Sequence, residues 1–169
     1  MNAPKNLVYY LIVFGIFAGL KFLFAALETE ELTFLLYPLD FVVSILTGSS
    51  SVFQIGIGYF HQDLNIIIDK SCSGYNLWLL SFLMLSFLAI PIKKSIAGKL
   101  GLILLCFGAS FILALLINSF RIYTSIFAQQ YTFLQGPTIH EAIGIFINLS
   151  FLIILYLFTE KLLYKTKFQ

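Results

Sequence analysis

The chain has 169 residues, of which 60% are hydrophobic and 11% are charged, against about 25% charged in ordinary soluble domains. A compact soluble fold of this length does not hide that much apolar surface, so lipid is expected to be the solvent for most of it. The formal charge of +2 is too small to point to nucleic acid, and the length allows one domain with about four to five membrane crossings.

The first apolar run, Leu7 to Leu27, is longer than the apolar core of a signal peptide and contains Lys21. It ends in Glu28-Thr29-Glu30-Glu31 without a small-x-small cleavage site, and so reads as a retained first transmembrane helix. The next run, Leu32 to Thr47, is shorter and is interrupted by Pro38 and Asp40. Pro38 disrupts a continuous helix, and Asp40 is costly near the bilayer centre. Pro38 to Thr47 is therefore read as an interfacial or re-entrant helix, with a fifth crossing as the alternative.

Gly48 to Ser71 is the least membrane-like stretch. Val52 to Ile57 and Leu64 to Ile68 have strand-like content around a polar turn at His61-Gln62-Asp63, which is compatible with a short hairpin. Three further runs, Tyr75 to Ile92, Leu100 to Ile122 and Ile139 to Phe158, are each long enough to span about 30 Å of hydrocarbon at ~1.5 Å per residue. The expected fold is all-α. It is a polytopic transmembrane helical bundle forming a single integral-membrane domain over residues 1–169, with its core motifs between 38 and 158. It has about four full crossings, the short interfacial or re-entrant helix, and an outer loop.

The lysines set the expected orientation. Lys93, Lys94 and Lys99 lie in one short loop and Lys161, Lys165 and Lys167 in the tail, with two crossings between the groups. The positive-inside rule puts both groups, and the N-terminus with Lys5, in the cytoplasm. The Gly48 to Ser71 and Gln129 to Thr138 loops then face outward, carrying Tyr59 and Gln135 outside the cytoplasmic (inner) membrane.

Three reactive residues recur at one place in this topology. Cys72 sits where an outer loop enters the second full helix, Arg121 where the third helix leaves for the outside, and His140 where the fourth enters. Helices joined by short loops pack as neighbours, so the three converge easily. A thiol needs a nearby base or positive charge to become a thiolate near neutral pH, and imidazole is the usual partner. A guanidinium stabilises the oxyanion that develops when a thiolate attacks an amide carbonyl. Cys72, Arg121 and His140 are thus sufficient parts for peptide-bond cleavage through a thioester, with no metal or cofactor required.

Each residue also has an ordinary reading. A lone Cys is usually a small buried hydrophobe, a terminal Arg a snorkelling anchor, and a His at a helix start a polar end group. Arg121, however, is the only Arg in the chain and sits on the outer side, against the positive-inside bias. Asn118 precedes Arg121 by three residues, Asn76 follows Cys72 by four, and Gly144 and Asn148 continue the His140 stripe. Such amides in lipid usually hydrogen-bond between helices, and that role accounts for Asn76 and Asn148 better than catalysis does. Ser73, Gly74, Asn76, Asn118 and Gly144 are the supporting or substrate-binding candidates. Two cysteines are too few for a disulfide framework, and Cys106 lies deep within an apolar run, so no bond to Cys72 is expected.

The same residues carry a family resemblance. Cys72-Ser73-Gly74 opening an apolar helix, Asn118-Ser119-Phe120-Arg121-Ile122 closing the next and His140-Glu141-Ala142-Ile143-Gly144 starting the last resemble the signature of the exosortase/archaeosortase family. The likeness covers roughly Pro38 to Phe158, with the motifs in the expected order, and the small size is similar to that of the compact exosortase K type. The resemblance implies an integral-membrane cysteine transpeptidase acting on exported proteins. Its protein substrates carry a C-terminal sorting signal made of a short motif, a transmembrane helix and a basic cluster. By that resemblance Cys72 is the nucleophile, His140 the proton-transfer partner and Arg121 the carbonyl or oxyanion stabiliser. The partners are then these substrates, membrane lipid and an acceptor such as water, an amine or a lipid-linked glycan. The extra helices of longer members are missing here, which leaves substrate identity open.

Rival readings fit less well. His140-Glu141 begins an HExxH-like string, but Gly144 stands where a zinc metalloprotease needs its second His. A thiol oxidoreductase wants paired outer cysteines, and only Cys72 is available. A rhomboid-type serine protease is suggested only by Ser73-Gly74 with His140. The alternative from another class is a non-enzymatic membrane scaffold or assembly factor.

Overall fold

The computed structural model describes the backbone of residues 3–129 and 137–167 and the side chains of 6–128 and 141–163. Within these residues the fold is an all-α helical bundle carrying one small sheet. Its elements are α1 (Ala3–Ala26), α2 (Thr33–Thr47), β1 (Val52–Gln54), β2 (Gly58–His61), β3 (Ile66–Ile68), α3 (Tyr75–Ala89), α4 (Ile96–Gln129) and α5 (Pro137–Lys167). Four stretches are long and apolar enough to cross a membrane: Asn6–Ala26, Lys70–Ile92, Ile96–Ala128 and Glu141–Leu163. The chain is a multi-pass membrane protein. Leu7, Phe22, Leu104, Ile145 and Phe146 stand exposed on these helices, as side chains do when lipid rather than water surrounds them.

By its internal contacts the chain forms two compact units. The first holds Met1–Ala26, Asn76–Leu113 and Leu152–Gln169. Its core is Val13, Phe82, Ala89, Ile90, Ile103 and Cys106, knit by aromatic contacts of Trp78 with Phe107 and Phe111 at 4.8 and 5.2 Å between ring centres. Two of the polar groups inside it have clear partners. Trp78 Nε1 donates to the Phe107 carbonyl at 3.1 Å, and Lys99, 7% exposed, donates to Asn6 Oδ1 at 2.6 Å and lies over the Tyr9 ring.

The second unit holds Leu27–Tyr75 and Ala114–Phe151. Here the structure departs from the expected interruption at Pro38, because α2 runs continuously from Thr33 to Thr47 with the proline inside it. Pro38 falls early, so the lost N–H bond concerns only Phe34 near the helix start. The 15 residues reach about 22 Å, short of a span. One face buries Leu35, Leu36, Leu39, Asp40 and Val43 while Phe34, Tyr37 and Phe41 stay exposed, the aromatic composition of a membrane–water interface. Gly48, at φ 69°, ends the helix with its N–H on the Ser44 carbonyl.

The expected single hairpin is a three-stranded antiparallel meander in the order β1-β2-β3. Phe53 pairs with Tyr59 across the first ladder and Phe60 with Ile67 across the second. His61, expected in a turn, ends β2 and is fully buried. The reason is Asp40. His61 Nε2 lies 2.8 Å from Asp40 Oδ1 and its Nδ1 lies 2.7 Å from Ser49 Oγ, while Ser51 donates to the other Asp40 oxygen at 2.8 Å. A carboxylate that burial would penalise is thereby saturated with partners, and the same bonds fasten α2 to the sheet.

Candidate active site

Cys72 stands on a strand-to-helix turn. Strand β3 ends at Ile68, and one turn of 3₁₀ helix covers Lys70–Cys72. Gly74 then reverses the chain at φ 71°, and α3 begins at Tyr75. Asp69 caps the turn, its Oδ1 accepting from the N–H groups of Ser71 and Cys72 at 2.9 and 3.3 Å and from the Ser71 hydroxyl at 2.6 Å. Lys70 reaches back to the Leu27 carbonyl. Cys72 carries a free, partly exposed thiol, with Ser71 Oγ at 3.9 Å and the Ile67 carbonyl at 4.0 Å. Asp69 was not among the sequence candidates, although an Asp two residues before Ser71 is the ordinary signal of such a cap.

The second motif meets the first directly. Asn118 is fully buried on α4, and its Nδ2 donates to the Cys72 carbonyl. Gly74 makes that approach possible, since a Cβ there would lie 2.8 Å from Asn118 Cγ. Asn118 Oδ1 is buried with no partner among the described residues. Arg121 follows one turn later on the same face of α4. Its aliphatic Cδ and Nη1 lie 3.4 and 3.5 Å from where a Cβ on Gly144 of α5 would stand, and its Nε is buried without a partner among the described residues. Among the described residues no carboxylate lies within ion-pair distance of it.

The structure thus brings Cys72, Gly74, Asn118, Arg121 and Gly144 into one compact unit, with Asn118 against Cys72 and Gly74, and Arg121 against Gly144. Ser73 is 4% exposed and holds the turn, its Oγ accepting from the Tyr75 N–H at 3.4 Å. His140 belongs to α5, one turn before Gly144; its side chain lies outside the described residues, as does Gln135. Asn76 goes elsewhere: exposed at the start of α3, it accepts from Lys21 of α1. Arg121 is not at a helix end, because α4 continues for eight more residues to Gln129; no Gly or Pro interrupts it there. Asn148 and Ser125 also keep buried side-chain oxygens without partners among the described residues.

No protein-family model matches the chain, and neither does a curated protein or a solved structure.

Proposed function

We propose that this protein is an exosortase-like cysteine transpeptidase or peptidase of the cytoplasmic membrane. It removes C-terminal sorting tails from exported proteins at the outer face of that membrane, with both termini in the cytoplasm. The observation that supports the reading is the join between motifs: Asn118 binds the Cys72 carbonyl while Arg121, on the same helix face, packs on Gly144 and has a buried Nε without a partner among the described residues. An unpaired guanidinium N–H in an apolar setting is costly unless an oxygen fills the gap. A substrate carbonyl supplies one.

In the proposed reaction His140 takes the Cys72 proton and the thiolate attacks the scissile carbonyl. A C–S bond forms, and Arg121 holds the oxyanion. Collapse breaks the C–N bond, and the departing amine takes the proton from His140. The released tail leaves the sorted protein as a thioester on Cys72. Water, an amine or a lipid-linked glycan then attacks that thioester, giving up its proton as the thiol is restored.

The test is Cys72→Ala in the native cell, read by mass spectrometry of membrane-protein C-termini. Proteins with an apolar helix and basic cluster at the C-terminus should retain those tails in the variant. A hydroxylamine-sensitive adduct should also be recoverable from Cys72 of the unaltered protein. Unchanged C-termini and no adduct would return the chain to the scaffold class.

A further inference from the structure

The nucleophile's strand is an edge. In the order β1-β2-β3, strand β3 has a neighbour on one side only among the described residues, and three residues separate it from Cys72. Its pairing with β2 tells which main-chain groups face the open side. A Cβ on Gly58 would lie 2.4 Å from the Ile68 carbonyl oxygen, so Ile68 faces β2. Antiparallel alternation then turns the N–H and C=O of Ile67 away from β2. The Cys72 thiol confirms the direction, for its Sγ lies 4.0 Å from the Ile67 carbonyl. Ile67 is 47% exposed.

A second observation points to a ligand beside this edge. Asn118, fully buried, holds the Cys72 carbonyl and packs against Gly74, two residues from the thiol, and its Oδ1 has no partner among the described residues. One open edge, one orphaned acceptor and the neighbouring orphaned Arg121 Nε ask for the alternating N–H and C=O groups of an extended peptide. A helical segment has those groups bonded internally and does not satisfy them.

We infer that the substrate segment at the scissile bond docks as a fourth, antiparallel strand on β3, one of its residues exchanging both main-chain hydrogen bonds with Ile67. This rests on the cysteine transpeptidase reading and specifies how that site takes its substrate. Recognition is then largely by main chain, as in other strand additions, with specificity left to alternate side chains. Docking also activates the nucleophile. A substrate N–H that takes the Ile67 carbonyl removes it as an acceptor for the Cys72 S–H, freeing the thiol to turn toward the incoming carbonyl.

The experiment uses the full chain in lipid nanodiscs and compares two alkylating probes, with modification of Cys72 read by mass spectrometry. One is chloroacetamide; the other is acetyl-trialanine chloromethyl ketone, which offers the same displacement of chloride on an extended peptide. Two main-chain bonds should favour the peptidyl probe about 30-fold after correction for the intrinsic reactivity of each probe toward a free thiol. Methylating the peptide nitrogens should bring the ratio close to one in the unaltered protein. Ile67→Pro, which removes the outward N–H but leaves the outward carbonyl and the β2 ladder intact, should lower the ratio to about 5-fold, and Ile67→Ala should leave it unchanged. A corrected ratio near one in the unaltered protein, or one indifferent to N-methylation, overturns the docked strand even if Ile67→Pro fails to fold. That failure differs from failure of the parent reading, in which Cys72→Ala leaves C-terminal tails processed normally.

Discussion

At the scale of single residues, two glycines and one arginine carry the site, and they predict different outcomes. Gly74 combines a φ of 71° with a Cβ position 2.8 Å from Asn118. Gly74→Ala should therefore cost about 2 kcal/mol or more of stability and detach Asn118 from the Cys72 carbonyl, measurable as a lower unfolding temperature in detergent together with lost tail cleavage. Gly144 is helical, and a methyl there meets only the flexible Arg121 side chain at 3.4 and 3.5 Å. Those are ordinary van der Waals distances, so Gly144→Ala should leave stability within about 1 kcal/mol, Arg121 in place and activity near that of the unaltered protein. Arg121→Lys retains charge and length but loses the planar fork and Nε. If the guanidinium holds the oxyanion, this variant folds normally and loses roughly 10²–10³ in kcat. A fully active Lys variant would make Arg121 a helix anchor.

Among the elements, α2 and the sheet are held together by buried polar groups. Replacing His61 by Ala opens a space beside Asp40 and Ser49 and takes one partner from each, leaving Asp40 with Ser51 and Ser49 with Thr47. The expected loss is about 3 kcal/mol, and His61→Gln, which can still donate to Asp40, should recover part of it in thermal unfolding. Tyr59 of β2 adds an alkaline limit. Burial chiefly, then the charges of Asp40 and Tyr37, push its phenol above the ordinary 10.0. An acid whose pKa is raised by folding stabilises the fold below its unfolded value. That contribution fades as pH rises past about 10 toward the folded pKa. Tyr59→Phe should therefore flatten the loss of unfolding temperature above pH ~10, and an unchanged alkaline slope would assign that loss to other groups.

Across the whole molecule, helix length sets which residues share a membrane side. The span from Lys70 to Ile92 holds 23 residues, about 34 Å of helix, so Cys72 at its start and Lys93 beyond its end belong to opposite interfaces. The proposed positive-inside orientation predicts that Ile55, 84% exposed in the first turn of the meander, should face outward and Ile96, 69% exposed, the cytoplasm. Single cysteines placed there in a Cys-free background should label from outside the intact cell at 55 and not at 96. External labelling at 96 reverses the orientation and removes the active site from the compartment where exported tails arrive.

The four spans were legible in the sequence because a membrane helix is a local property: some twenty consecutive apolar residues satisfy their own backbone and need no distant partner. The placing of Cys72 and His140 at helix starts followed from the same run lengths, as did Asn118 one turn from Arg121, whereas Arg121, expected where its helix ends, sits eight residues inside α4. The tertiary structure decided what depends on partners far along the chain. Asp40 looked like a break in α2 until His61, 21 residues on, proved to neutralise its cost. The third strand needed Gly58 close against Ile68, a contact that no hydropathy pattern records. Asn76 and Asn118 look alike in sequence, yet one meets Lys21 and the other the Cys72 carbonyl. Hydropathy specifies which segments enter lipid, whereas the choice among polar partners is made by packing, and that choice separates a structural asparagine from one that builds a site.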